Sequence, residues 1–131
     1  MSKGYSTVAE RYHEVMGRVS SACKRVGRER NDVVVVAVSK LQENGSIRAA
    51  FELGCRDFGE SRVQEWQQKR SHFSQALHWH FIGRIQKNKI RHLVDQVTLI
   101  HSVDSEPLVQ AIERRASGSQ EILLQVNIAG E

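Results

Sequence analysis

The stretch VVVVAVSK, residues 33–40, decides the fold of this chain. Four consecutive valines followed by Ala37 and Val38 form an apolar run without polar alternation, which is typical of a strand buried on both faces of a parallel sheet. Lys40 stands at the carboxyl end of this strand, where ligands bind in open α/β sheets and in (β/α)8 barrels. Lys40 is therefore a candidate nucleophile; the alternative is that its stem packs against the protein while its ammonium group reaches solvent.

Five strand-like segments follow one another along the chain, starting near residues 33, 56, 79, 98 and 121. Apolar residues at helical spacing lie between them, and a long amphipathic helix over residues 5–26 precedes the first strand. This alternation indicates parallel β/α winding in a single α/β domain over residues 1–131. The periodicity fits two folds, namely the first five strands of a (β/α)8 TIM-type barrel or a complete doubly wound sheet of five strands.

The composition is that of an ordinary globular protein, with 40% hydrophobic and 26% charged residues in a chain of 131. No apolar stretch approaches the length needed to cross a membrane, and the N-terminus lacks the apolar core of a secretion signal. Cys23 and Cys55 are too few and too far apart for a CxxC site or a disulfide framework. We therefore expect a cytoplasmic protein. The net charge of +4 is compatible with phosphorylated small molecules or nucleic acid and requires neither.

Polar residues recur at the carboxyl ends of the predicted strands, and parallel strands bring these ends to one rim. In chain order they are Ser39, Lys40, Glu60, Ser61, Gly83, Arg84, His101, Ser102, Asp104 and residues 127–131. Helix capping is the simpler explanation for the group Ser61, Ser102, Asp104 and Ser105.

Lys40 differs from these residues because an amine at this position can act as a nucleophile toward an aldehyde. The amine must be neutral to form a Schiff base, and the ordinary pKa of a lysine is about 10.4. Burial beside valine side chains disfavours the charged form and lowers that pKa. The sequence thus predicts a buried, reactive Lys40.

His78 and His80 lie on the same face of the third predicted strand and resemble a metal-binding pair. Because no acidic or cysteine ligand follows at a suitable spacing, we interpret them as packed or hydrogen-bonded histidines and assign no metal site.

A basic cluster follows the third predicted strand and consists of Arg84, Lys87, Lys89 and Arg91. It could attract phosphate or RNA, and its simpler interpretation is a solvated helix face. The segment has none of the interleaved aromatic residues expected of a nucleic-acid module.

Five segments resemble one protein family in order and spacing. They are VAVSK (36–40), FGESRVQE (58–65), HWHFIGRIQKNK (78–89), HSVDS (101–105) and LLQVNIAGE (123–131). Through them the chain resembles the pyridoxal phosphate homeostasis proteins, whose fold is similar to the N-terminal barrel of alanine racemase. The resemblance favours the barrel, of which this sequence would form the first five strands after a long N-terminal helix.

The resemblance implies that Lys40 holds pyridoxal 5′-phosphate as a Schiff base through the C4′ aldehyde of the cofactor. Ser61, His80 and Asn127 are the further cofactor-binding residues that we assign, and no catalytic residue is assigned. The family keeps free pyridoxal phosphate low and balances amino-acid and keto-acid pools without established turnover. The chain is therefore expected to be a cofactor carrier and not an enzyme.

Three departures from the family pattern affect this site. Ser61 stands where the family usually has an asparagine near the cofactor ring, and Leu41, Gln42 and Glu43 replace the usual threonine, lysine and proline. The family's phosphate-binding serine, glycine and threonine, and its arginine facing the pyridine nitrogen, lie in later barrel strands that this sequence does not contain. We therefore expect weakened cofactor binding and self-association through an uncovered barrel edge.

Two alternative functions stay open. An enzyme of the alanine racemase type would need an acid–base residue opposite Lys40, and no tyrosine occurs after Tyr12. An RNA-binding module built on the basic cluster would show salt-dependent retention on nucleic acid. The carrier interpretation predicts a small-molecule cofactor as partner, with neither nucleic acid nor a membrane.

Overall fold

The computed structural model of the chain describes residues 3–73 and 76–130. Its helices are α1 (Lys3–Arg25), α2 (Asn44–Glu52), α3 (Val63–Arg70), α4 (Ile90–Leu93) and α5 (Glu106–Arg115), and short 3-10 turns occur at Arg30–Asp32 and Lys87–Lys89. Its strands are β1 (Ala37–Val38), β2 (Asp57–Glu60), β3 (His78–Phe81), β4 (Leu99–Val103) and β5 (Ile122–Leu124). The predicted alternation of strands and helices after a long first helix is confirmed.

The five strands form one parallel sheet in the order β1-β2-β3-β4-β5. Each strand lies beside the one before it in sequence, so every connection winds in the same sense. A doubly wound sheet would instead reverse its strand order at a switch point. The structure therefore has the winding of a barrel segment, and the doubly wound alternative is wrong.

The core lies between the sheet and its helices. It is built on large side chains that are at most 2% exposed: Ile47, Phe58, Trp66, Phe81, Ile90, Leu93, Ile100 and Val103. Phe58 and Trp79 pair across β2 and β3 with their ring centroids 6.0 Å apart. α1 adds Val8 and Tyr12 to this layer from outside. Burial on the helix side is thus what holds the strands in register.

β1 differs from its prediction. The expected strand over residues 33–40 is reduced to two residues, and Val34 and Val38 are 62% and 52% exposed. The expectation of burial on both faces is wrong because β1 is an edge of the described sheet and pairs only with β2. Val36, just before β1, packs on the other face of this edge, beside β2. Its Cγ1 lies 3.3 Å from the position that a Cβ on Gly59 would occupy.

α3 is shorter than its apolar stripe predicts. The stripe ending at Phe73 and Leu77 predicts a helix through Leu77, but α3 ends at Arg70 in a turn that the His72 N–H closes on the Lys69 carbonyl at 3.0 Å. Leu77 is buried all the same, immediately before β3. Leu77 is apolar because it is buried in a segment that is not helical. Periodicity alone does not distinguish such a residue from one buried on a helix.

Within the described residues, no helix has both the length and the apolar character needed to cross a membrane. Cys23 and Cys55 are both buried free thiols.

Candidate functional site

The loops that follow β2 and β3 pack against each other and against the end of β4 at the carboxyl rim of the sheet. The backbone of Gly83 approaches that of Ser61 so closely that a Cβ on Gly83 would overlap the Ser61 carbonyl oxygen and lie 2.7 Å from its Cα. The Ser102 hydroxyl donates a hydrogen bond to the Gly83 carbonyl. Glycine is required here for close approach, and the rim is a single packed unit as a result.

Lys40 lies at this rim, directly after β1, as the sequence predicts. Its side chain is exposed, so the predicted burial beside valine side chains is wrong. The cause is the short edge strand, which leaves Val38 half-exposed and provides no apolar wall around the amine. The next residue, Leu41, has a φ of 62°, a left-handed conformation that leucine rarely adopts.

The backbone around Lys40 is held by a buried polar network that the sequence did not reveal. Lys69 on α3 is 7% exposed, and its Nζ donates to the Ser39 carbonyl at 2.6 Å, to both carboxylate oxygens of Glu60 at 3.1 Å, and to Glu65 Oε2 at 2.8 Å. The Ser39 hydroxyl donates to Glu60 as well. Glu60 is fully buried, so these partners take the place of water around its carboxylate oxygens.

Glu65 connects this network to the other side of Lys40. The Leu41 N–H donates to Glu65 Oε2 at 2.6 Å. The hydrogen bond from Lys69, with a smaller contribution from that of Leu41, holds the pKa of Glu65 below its usual range. The only sequence signal for this arrangement is the spacing of Glu65 and Lys69 by four residues, which is common on solvated helices.

Ser61 is half-buried and lines a groove of about 1030 Å³ beside the Lys40 segment. Leu41 and Ser61 lie on its wall, and Arg84 and Lys89 add positive charge. Lys87 and Arg91, the other two members of the basic cluster, are exposed outside the lining of this groove. The cluster is therefore divided between a groove and a solvated surface.

His80 is buried on β3 and hydrogen-bonded at both ring nitrogens. Its Nε2 lies 2.8 Å from Asp57 Oδ1, and its Nδ1 lies 2.8 Å from His101 Nε2. Burial, together with the neighbouring His80, holds the pKa of His101 below its usual range. His78 is more exposed and lies 3.4 Å from the same Asp57 oxygen. These contacts match the interpretation of hydrogen-bonded histidines.

No group of three or more potential protein ligands that could hold a metal ion occurs in residues 3–73 and 76–130. Asn127 follows β5 on an exposed segment, and its Oδ1 accepts a hydrogen bond from the Gly130 N–H at 2.9 Å. It lines a depression formed by residues 125–129. The structure thus brings Ser61 to the groove beside the Lys40 segment and places His80 and Asn127 in two other surroundings.

No protein-family model matches the chain. Among curated proteins, the pyridoxal phosphate homeostasis protein of Aquifex aeolicus is 39% identical over 126 residues, which is 93% of this chain and 55% of that protein. The protein of the same name from Pseudomonas aeruginosa is 38% identical over 130 residues, which is 96% of this chain and 56% of that protein. The chain therefore spans about half the length of the curated relatives it matches.

Solved structures give a similar result. An unknown protein from Bifidobacterium adolescentis matches with a TM-score of 0.90 and 31% identity, over 100% of this chain and 59% of that one. PipY of Synechococcus elongatus PCC7942, solved with pyridoxal phosphate bound, matches with a TM-score of 0.70 and 34% identity, over 84% of this chain and 55% of that one. The resemblance that the sequence motifs indicate is confirmed: the chain is similar in sequence and fold to the N-terminal part of the pyridoxal phosphate homeostasis proteins.

Proposed function

We propose that the chain binds pyridoxal 5′-phosphate as a Schiff base on Lys40 and serves cofactor homeostasis as a carrier, not as an enzyme. The observation that supports this most directly is the placement of Lys40. An exposed amine projects from the carboxyl rim of parallel strands on a backbone segment anchored by buried hydrogen bonds. The similarity to PipY, a protein solved with pyridoxal phosphate bound, identifies the ligand that suits such an amine.

The described residues fit the reactive end of the cofactor. Bound there, the cofactor supplies an aldehyde carbon. Lys40 would hold the cofactor through its side-chain nitrogen, which must be a free amine to bond to that carbon, with the aldehyde oxygen lost as water. The Lys40 side chain is exposed, so a small molecule can reach its amine without a rearrangement of the core.

The phosphate end of the cofactor has fewer partners in this chain. The groove that Leu41 and Ser61 line has three cations. They are Arg62 at the start of α3, Arg84 and Lys89. Arg62 and Arg84 are exposed and Lys89 is partly buried, and separate side-chain cations of this kind attract a phosphate less tightly than a cup of backbone N–H donors. We therefore propose that the affinity for the cofactor is lower than a complete phosphate site would give.

The carrier assignment is supported by where the tyrosines lie. Both tyrosines of the sequence fall within α1, and Tyr12 packs against the core from the outside of the sheet. A racemase of the two-base type would need such a group across from the Lys40 amine. We also propose that the chain works in the cytoplasm without a membrane partner. A nucleic-acid partner is not part of the proposal, since the basic cluster is divided between the groove and the solvated surface.

The proposal is tested by adding pyridoxal 5′-phosphate to the purified chain and following the visible absorbance of a Schiff base. Borohydride reduction and peptide mapping then locate the adduct. We expect the band to fall in Lys40→Ala to the background left by exposed lysines, and to be kept in Lys87→Ala, which removes an exposed lysine outside the groove. Pyridoxal, which lacks the phosphate, should bind within about tenfold of the phosphorylated form, a difference of one charge-assisted contact. A band of undiminished intensity in Lys40→Ala would refute the assignment.

A further inference from the structure

Lys69 is the buried cation of α3, and its position is unusual for a lysine. A lysine that is 7% exposed loses most of its hydration, which is tolerated only when its three N–H donors all find acceptors. The three acceptors here are the Ser39 carbonyl and the carboxylates of Glu60 and Glu65. Two of these three contacts lead to the peptide groups on either side of Lys40.

The first of them binds the peptide group that precedes Lys40. The Ser39 carbonyl belongs to the peptide bond between Ser39 and Lys40, and it accepts from Lys69 Nζ at 2.6 Å. On the other side of the same residue, the Ser39 N–H donates to the Gly59 carbonyl at 2.9 Å and ties this residue to β2. Ser39 is 4% exposed, so water cannot replace these contacts.

The second binds the peptide group that follows Lys40. The Leu41 N–H belongs to the peptide bond between Lys40 and Leu41, and it donates to Glu65 Oε2 at 2.6 Å. The same oxygen accepts from Lys69 at 2.8 Å, so one cation orients the group that fixes the second peptide. This contact also holds Leu41 in its left-handed conformation, at a φ of 62°. The two peptide groups on either side of the Lys40 Cα are therefore both fixed by hydrogen bonds.

We propose that Lys69 is a positioning residue for Lys40: through Ser39 directly and through Glu65, it fixes the backbone on both sides of the reactive amine and sets the direction in which the side chain leaves the rim. This inference rests on the proposed function of Lys40. Lys69 itself contacts no ligand and takes no part in the reaction. Its effect is to remove backbone freedom that a bound ligand would otherwise have to order.

Glu65 offers the cleanest test, because its side chain is partly exposed and its loss leaves the buried pair of Glu60 and Lys69 intact. Glu65→Ala removes the acceptor of the Leu41 N–H, whereas Glu65→Gln keeps an acceptor oxygen without the charge. The matched control is Gln67→Ala, an exposed position on the same helix outside the lining of the groove. All variants are compared with the unmodified chain by circular dichroism and urea unfolding.

The readout is the affinity for pyridoxal 5′-phosphate from the absorbance titration, with the ratio of borohydride-trapped adduct at Lys40 to that at Lys87 as an internal standard. We expect Glu65→Ala to weaken binding and lower the ratio by about tenfold, the loss of one hydrogen bond to a charged group. Glu65→Gln should recover most of this loss, and Gln67→Ala should match the unmodified chain. A general loss of stability would not be rescued by glutamine in this way.

Lys69 is tested directly with Lys69→Met, and with Glu60→Gln/Lys69→Met, in which no unpaired carboxylate remains buried. We expect a folded member of this pair to show the same lowered ratio of adduct at Lys40 to adduct at Lys87. A folded double variant, or a folded Glu65→Ala, with an unchanged ratio would overturn the positioning role while leaving the proposed function of Lys40 standing. Absence of the adduct at Lys40 in the unmodified chain would instead overturn the proposed function.

Discussion

Gly83 provides the strongest single perturbation of the rim. In Gly83→Ala the new methyl group overlaps the Ser61 carbonyl oxygen and lies 2.7 and 2.8 Å from the Ser61 Cα and carbonyl carbon. All three are backbone atoms, so relief requires the whole loop after β2 to move. Forced overpacking of this kind costs about 1–3 kcal/mol. The move also strains the bond from the Ser102 hydroxyl to the Gly83 carbonyl.

Urea unfolding followed by circular dichroism measures this cost, and Gly17→Ala is the matched control. Gly17 lies within α1, where an added Cβ meets no described atom within 4 Å. There the same substitution should stabilise the chain by up to about 1 kcal/mol, because alanine favours a helix over glycine. We thus expect free energies of unfolding that change in opposite directions. A Gly83→Ala variant as stable as the unmodified chain would refute the close approach of the two rim loops.

Two further predictions follow from the histidine pair and the sheet edges. Because the pKa of His101 is lowered in the folded state, the unfolded chain binds its proton more readily. Its contribution to stability is present above the ordinary value of 6.5 and is lost as the pH falls through the lowered pKa. Urea unfolding between about pH 8 and pH 5 should show a weaker loss of stability in His101→Asn than in the control His72→Asn, which alters an exposed histidine. Equal losses of stability in the two variants would contradict the lowered pKa of His101. The uncovered edges β1 and β5 should make the chain self-associate, and Leu124→Lys, at a residue 70% exposed on β5, should shift sedimentation toward the monomer. Sedimentation as a monomer at every concentration would exclude this association.

The repeating architecture could be predicted from the sequence because it depends on local patterns. Each of the first four units carries a strand, a turn and a helix, and the structure has these four units and then β5 in the predicted order. The choice between a barrel segment and a doubly wound sheet could not be made in this way, because it depends on which strands become neighbours. The apolar run of β1 predicted a buried strand, but burial requires a covering layer, and Val38 faces none among the described residues.

The candidate site was predictable at Lys40 and less so around it. The end of an apolar strand marks Lys40 from sequence alone, whereas the importance of Lys69 depends on burial that arises only when α3 packs against the end of β1. His80 shows the same limit, since its partners Asp57 and His101 come from the two neighbouring strands. Contacts across strands that are about 20 residues apart leave no periodic trace in one sequence.

The comparison of Lys40 with Lys69 changes what the rim is expected to contribute to imine formation. The sequence suggested that valine side chains would desolvate Lys40, but the buried lysine of this region is Lys69, and it is fully engaged by carboxylates and a carbonyl. The described residues therefore desolvate Lys69, the positioning cation, and leave the Lys40 amine exposed to water. What these residues give Lys40 is a fixed backbone on both sides, so the orientation of the amine is the property that substitutions at Glu65 and Lys69 should alter first.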